Sequence, residues 1–192
     1  MHTRIGPLRS SDRERLAELL VATRAFHEDE VEIALSLFDL SRHDGEGDGA
    51  HDRAHDGAHD GAHGGADDAT PDYQFLGAFA DGARLVGYAC FGPTPSTDGT
   101  YDLYWLAVDP AAQGRGAGRA LVREVERLLG ARGARLLVVE TSSRPDYAAT
   151  RAFYLATGYA AAATVKDFYA PADDRIVLTT RLTTRERGAA TR

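Results

Sequence analysis

Gln113-Gly114-Arg115-Gly116-Ala117-Gly118-Arg119 is the stretch of this chain whose residue types and spacing most clearly serve a chemical purpose. Its glycines leave the backbone without Cβ atoms, so an anion can come close to it. Ahead of it, Leu103-Tyr104-Trp105-Leu106-Ala107-Val108 is an unbroken apolar and aromatic run that reads as a buried strand. Behind it, Leu121, Val122, Val125, Leu128 and Leu129 recur at helical spacing, so a helix opens near Gly116. A strand that turns into a helix through glycines aims free N–H groups and the positive end of the helix dipole at one small volume. The chemistry this suits is the grip of a diphosphate. Two other glycine loops share that physics and are excluded by spacing. The nucleotide phosphate loop ends in Gly-Lys-Ser/Thr, and this run holds no lysine. The dinucleotide fingerprint needs Gly-x-Gly-x-x-Gly, whereas Gly114, Gly116 and Gly118 are evenly spaced.

A second run, Thr150-Arg151-Ala152-Phe153-Tyr154-Leu155-Ala156-Thr157-Gly158-Tyr159, follows the strand-like Arg135–Thr141. The pair resembles two motifs of the GNAT superfamily of N-acetyltransferases, in order and in spacing. One is the coenzyme A loop, Gln-x-x-Gly-x-Gly; the other is a helix carrying Ala-x-x-Phe-Tyr-x-x-x-Gly-Phe/Tyr. The resemblance spans roughly Asp72 to Leu182 and is looser over the N-terminal helices. It implies an acyltransferase that uses acetyl-CoA as co-substrate, needs no metal and acetylates a primary amine by direct attack in a ternary complex. A small-molecule amine is the expected acceptor, and a protein N-terminus or lysine the alternative. A non-catalytic acyl-CoA-binding module is the reading from another class.

Site roles follow from the same resemblance. Gln113, Gly114, Arg115, Gly116, Ala117, Gly118 and Arg119 would hold the pyrophosphate, while Leu106, Ala107 and Val108 would receive the pantetheine arm as an added strand. A bulge in that strand would aim one N–H at the thioester carbonyl. Tyr154 stands where the family places the acid that protonates the departing sulfur, a role suited to a phenol that stays protonated at neutral pH. Only a neutral amine attacks, so a carboxylate is useful as base. Asp102 and Glu140 both occupy positions that relatives use for it, and either can serve. One departure stands out. Where the family often has an asparagine after the fifth strand, this chain has Ser142-Ser143-Arg144-Pro145. For the acceptor, the run Lys166 to Asp174 reads as an aromatic and acidic hairpin loop. Phe168 and Tyr169 would wall the amine there and Asp173, or else Asp167 or Asp174, would attract it, although turn chemistry alone accounts for the Pro and Asp residues.

The elements that must position these groups are legible in outline. Arg4–Leu8 reads as a strand, and Ser11-Asp12-Arg13-Glu14 has capping-box spacing for a helix through Leu16, Leu19 and Leu20. Glu28–Leu40 is an amphipathic helix with Val31, Ile33, Ala34, Leu37 and Phe38 as its apolar residues. Strands over 73–80 and 84–91 flank a turn at Asp81-Gly82; strands over 101–108 and 135–141 and helices over 116–129 and 147–157 follow; strands near 159–167 and 175–182 finish the order. The result is β-α-α-β-β-β-α-β-α-β-β: an α/β (α+β) fold with one mixed, mostly antiparallel sheet flanked by helices. It is the element order of the GNAT fold.

Composition sets the remaining bounds. The 192 residues suffice for one domain and carry a formal net charge of −7. Residues 43–69 account for all of it, with eight acids (Asp44, Glu46, Asp48, Asp52, Asp56, Asp60, Asp67, Asp68) against Arg53. The rest is formally neutral, with no basic face to suggest nucleic acid. That segment repeats His51, His55, His59 and His63 among Gly and Asp and lacks apolar groups to offset its ordering entropy, so it reads as a disordered insertion. Histidines four apart could chelate a metal on a helix, but Gly57, Gly61, Gly64 and Gly65 oppose one. No membrane-length apolar run and no signal-peptide centre appears. The single Cys90 cannot form an internal disulfide and reads as a small buried residue in a reducing, cytoplasmic protein, monomeric or homodimeric.

Overall fold

The computed structural model describes residues 3–24, 26, 28–43, 73–80 and 83–182. The chain begins with β1 (Arg4–Pro7), α1 (Arg13–Thr23) and α2 (Glu28–His43). It continues with β2 (Gln74–Ala80), β3 (Arg84–Pro93), β4 (Thr100–Val108), α3 (Ala117–Ala131), β5 (Leu136–Ser142), α4 (Ala148–Ala156), β6 (Ala160–Ala170) and β7 (Asp173–Arg181). The order matches the one read from the sequence. One seven-stranded sheet runs β1-β2-β3-β4-β5-β7-β6, and only the β4–β5 pair is parallel. From the low-complexity 43–69 segment only His43 is among the described residues, as the end of α2; the turn at Asp81-Gly82 also lies outside them.

Each face of the sheet has its own core. One is built from α3 and α4, where Leu121, Val122, Val125 and Leu129 pack with Leu137, Val139 and Leu178. The spacing of those α3 residues gives a single apolar stripe, and each buried side chain contributes about 2 kcal/mol. On the other face Leu16, Leu19 and Leu20 of α1 and Ala34 and Phe38 of α2 cover Phe75, Phe79, Leu85 and Tyr88. Cys90 is fully buried in this second core, and burial pushes its thiol well up, so it is packing rather than chemistry.

Two local expectations shift. Ser11 and Glu14 do not cap α1: a short 3-10 turn over Ser10–Asp12 precedes the helix, the Asp12 carboxylate accepts from the Arg9 N–H at 2.7 Å at the start of that turn, and Asp12, the N-cap of α1, makes no side-chain cap bond to the helix. On α2, Ile33 is 52% exposed and does not share the buried side with Ala34 and Phe38. A helix with apolar residues at 31, 33, 34, 37 and 38 cannot bury all of them along one line of contact.

Candidate active site

β4 is the element around which everything is arranged. Against β3, Cys90 pairs with Trp105 but Phe91 pairs with Leu103, so Tyr104 is an extra residue, a bulge. The bulge resets the alternation of side chains. Tyr101 and Leu103 before it, and Leu106 and Val108 after it, face the α3/α4 core; Tyr104, Trp105 and Ala107 face the α1/α2 side. On its other edge β4 pairs with β5 only from Thr100 to Asp102, against Leu136 to Val138. Beyond Asp102 the two strands part, and the Leu106-Ala107-Val108 edge has no ladder partner among the described residues. A row of backbone groups is left facing a gap.

The glycine run follows the free end of β4, beyond the point where the two strands part, and residues 113–116 are exposed there. Gly114 (φ +71°) and Gly116 (φ +89°) adopt the left-handed conformation that favours glycine, and a Cβ at either would meet nothing within 4 Å. Gly116 is the N-cap of α3, and no side chain caps the helix. The amides of its first turn, Ala117, Gly118 and Arg119, therefore open on the cradle that Gly114 and Gly116 leave. Gln113 is exposed and folds back on β4, its side-chain amide donating to the Val108 carbonyl at 3.1 Å. Arg119 and Arg115 flank the turn. Phe153 of α4 approaches Gly118 from behind, 3.6 Å from where a Cβ would stand. Tyr154, 4% exposed, packs edge-to-face between Phe153 and Tyr159. Burial pushes its phenol upward, so the hydroxyl stays protonated.

Asp109, which the sequence reading passed over, fixes the entrance to this loop. Its buried carboxylate accepts from the Ala111 N–H at 2.9 Å and from Arg15 of α1, while Arg84 lies 3.5 Å away. The Ala111 bond, reinforced by the arginines, outweighs burial and holds the carboxyl below the ordinary range. Arg15 also donates to the Leu85 carbonyl at 3.1 Å, so α1, β3 and the loop are tied at one point. No sequence pattern linked residues 94 positions apart.

Asp102 and Glu140 lie on the α1/α2 side, one on each lip of the gap. Asp102 is half-buried, and one oxygen accepts from the Thr94 hydroxyl at 2.6 Å. Glu140 is exposed and paired with Arg175 of β7 at 3.2 Å. At such exposure the pair contributes at most about 1 kcal/mol and leaves Glu140 available. Farther out, residues 166–169 of β6 have no ladder partners between Val165↔Arg175 and Ala170↔Asp173, a wide bulge that carries Phe168 and Tyr169, both 49% exposed. The Arg175 guanidinium sits 4.1 Å from the Phe168 ring centre. Asp173 is placed differently from Phe168 and Tyr169: it is buried and accepts from the Ser142 hydroxyl, so it pins the hairpin to β5. Ser143 completes that strap, accepting from the Asp174 N–H at 2.8 Å. The serines that replace the family's asparagine thus hold the hairpin in place.

Among the described residues no helix is long and apolar enough to cross a membrane, and no three His, Cys, Asp or Glu are grouped to hold a metal.

The sequence profile of the acetyltransferase (GNAT) family matches residues 35–159. N-alpha-acetyltransferase RimI of Mycobacterium tuberculosis is 42% identical over 94 residues, 47% of this chain and 54% of that protein. The chain thus aligns with about half the length of this curated relative. A GNAT-family protein from Desulfovibrio desulfuricans is similar in structure, with a TM-score of 0.79 and 34% identity over 95% of this chain and all of that one. The Salmonella typhimurium protein yncA, solved with its cofactor acetyl-CoA, superposes with a TM-score of 0.65 at 18% identity, covering 98% and 99% of the two chains.

Proposed function

This chain belongs to the acetyltransferase (GNAT) family, and from that membership we propose that it transfers an acetyl group from acetyl-CoA to a primary amine by direct attack in a ternary complex. The observation that carries the proposal is the β4 edge left unpaired beyond Asp102, which leads through the glycine run into the uncapped start of α3. An unpaired strand edge suits the amides of a pantetheine arm, and a glycine cradle at a helix N-terminus suits a pyrophosphate. The open space at Gly114 and Gly116 fits that group. Acetyl-CoA supplies the activated acetyl thioester. The chain's own part is to hold it with the 106–108 edge and the 113–119 loop, to take a proton from the amine and to give one towards the sulfur.

On this reading Asp102 is the base. It stands at the point where the gap begins, and the Thr94 hydrogen bond orients it while its other oxygen has no partner among the described residues. Glu140 is the alternative, farther along the other lip. Asp102→Asn should remove the acid limb of the kcat/KM profile, and Glu140→Gln should keep it. The reverse pattern would move the assignment to Glu140. Tyr154 is the acid.

The acceptor is proposed to be a small-molecule amine that rests between the 166–169 bulge and the α1–α2 side. One observation favours a second reading, a protein N-terminus: the identity to a relative named as an N-alpha-acetyltransferase. A panel of small amines, N-terminal peptides and lysine peptides, read by release of free thiol and a one-acetyl mass gain, separates them. Turnover confined to peptides would overturn the small-molecule proposal. Coenzyme A binding without turnover of anything would leave only a binding module.

A further inference from the structure

Tyr73, Tyr104 and Trp105 are aromatic residues that neither the loop nor the proton transfers account for. The bulge turns Tyr104 and Trp105 to the same side of the sheet. Tyr73, the residue before β2, meets Tyr104 edge-to-face at 5.1 Å between ring centres, and Tyr104 meets Trp105 at 6.4 Å. All three are half-buried, unlike Tyr88 in the same core, which is sealed. Asp102 acts on this group electrostatically: burial first, then its charge and that of Tyr73, push the Tyr104 phenol up to about 12. Asp102, two residues before Tyr104 on β4 and on the same side of the sheet, stands where β4 leaves β5, and one of its oxygens has no hydrogen-bond partner among the described residues. Ring faces carry a negative quadrupole, and indole and phenol are the better partners for a cation.

We propose that Tyr73, Tyr104, Trp105 and Asp102 form a seat for an alkylammonium group, which binds the acceptor amine in its charged form before Asp102 takes the proton. The inference rests on the proposed acetyl transfer and deepens it. It makes the acceptor an alkylammonium whose carbon substituents lie against rings, and it disfavours aromatic amines, which are uncharged at neutral pH. The proton balance is simple: the N–H bond of the ammonium breaks, the carboxylate oxygen gains the proton and the nitrogen keeps the electron pair with which it attacks.

Trp105 is the chain's only tryptophan, so its fluorescence reports on the seat without turnover. Choline, which has no N–H and cannot be N-acetylated, is titrated into the full chain beside dimethylbutanol, its uncharged carbon isostere. The expected result is saturable quenching by choline with about tenfold preference over the isostere, the scale of a partly desolvated cation–π contact. Choline should also compete with the amine in the acetylation assay. Tyr73→Leu should erase the preference and Tyr73→Phe should keep it, because the ring face and not the hydroxyl is the partner. Equal binding of choline and the isostere to the parent chain overturns the seat, as does a Tyr73→Leu chain that retains the preference. Should Tyr73→Leu fail to fold, the comparison in the parent chain decides alone. Amine turnover with no choline effect would reject the seat and leave acetyl transfer standing; choline binding without any turnover would reject acetyl transfer only.

Discussion

Gly116→Glu is expected to abolish coenzyme A binding while the protein stays folded. Two physical effects can be separated at this position. The first is backbone strain: φ of +89° is left-handed, and a side chain there costs about 1–2 kcal/mol. That is a fraction of the 5–15 kcal/mol by which domains are ordinarily stable. The second is charge. Among the described residues, chain neighbours apart, no atom lies within 4 Å of the position a Cβ would take, so the new side chain enters open space and brings its charge to the mouth of α3. There it would meet the same amides and dipole that the diphosphate would use. Calorimetric titration should show a loss of affinity of about a hundredfold or more, equivalent to about 2.7 kcal/mol. Gly116→Ala carries the strain alone and should lose far less. Equal losses in the two variants would mean that loop shape, not anion binding, is at stake; unchanged affinity in Gly116→Glu would sink the cradle as the diphosphate site.

The second large effect belongs to Tyr154→Phe, which should lower kcat about a hundredfold or more, the scale of general acid catalysis, with coenzyme A affinity held within about twofold. The substitution keeps the ring that packs between Phe153 and Tyr159, so the fold has little to lose. Because burial pushes the phenol upward, the acid form predominates over the whole working range. Tyr154 should therefore add no alkaline limb to the rate profile below its ordinary value of about 10. Such a weak acid stabilises a departing thiolate chiefly by the hydrogen bond it donates. A variant with parental kcat would return Tyr154 to the core.

How much of this was legible beforehand depended on the range over which each signal acts. The glycine run and the Phe-Tyr helix are local patterns on single elements, so order, type and rough bounds of all the elements followed from them and from periodicity. Boundaries moved by a few residues, as at β6, read near 159–167 and observed over Ala160–Ala170, where the single pair Ala170↔Asp173 closes the hairpin. What escaped was set by register between strands. That the extra residue of β4 is Tyr104, and that pairing with β5 stops at Asp102, depends on two neighbours at once and leaves no trace in one strand's alternation. The Asp109–Arg15 tie was hidden for the same reason, though the Asp-Pro pair beginning the turn signalled a side chain folding back on its own backbone. Asp173 shows the converse. Its type suggested a solvent-facing anion, but hairpin geometry turned it inward to Ser142.

The interrupted β4–β5 ladder has a consequence beyond turnover. A sheet whose central seam is stitched over only three residue pairs is finished, on the proposed function, by a small molecule that supplies the missing strand. A ligand that binds only the folded chain stabilises it by mass action, about 2.7 kcal/mol at a hundred times its dissociation constant. The metabolic supply of that thioester would then govern survival as well as catalysis, leaving starved copies the first to open and the first to meet a protease.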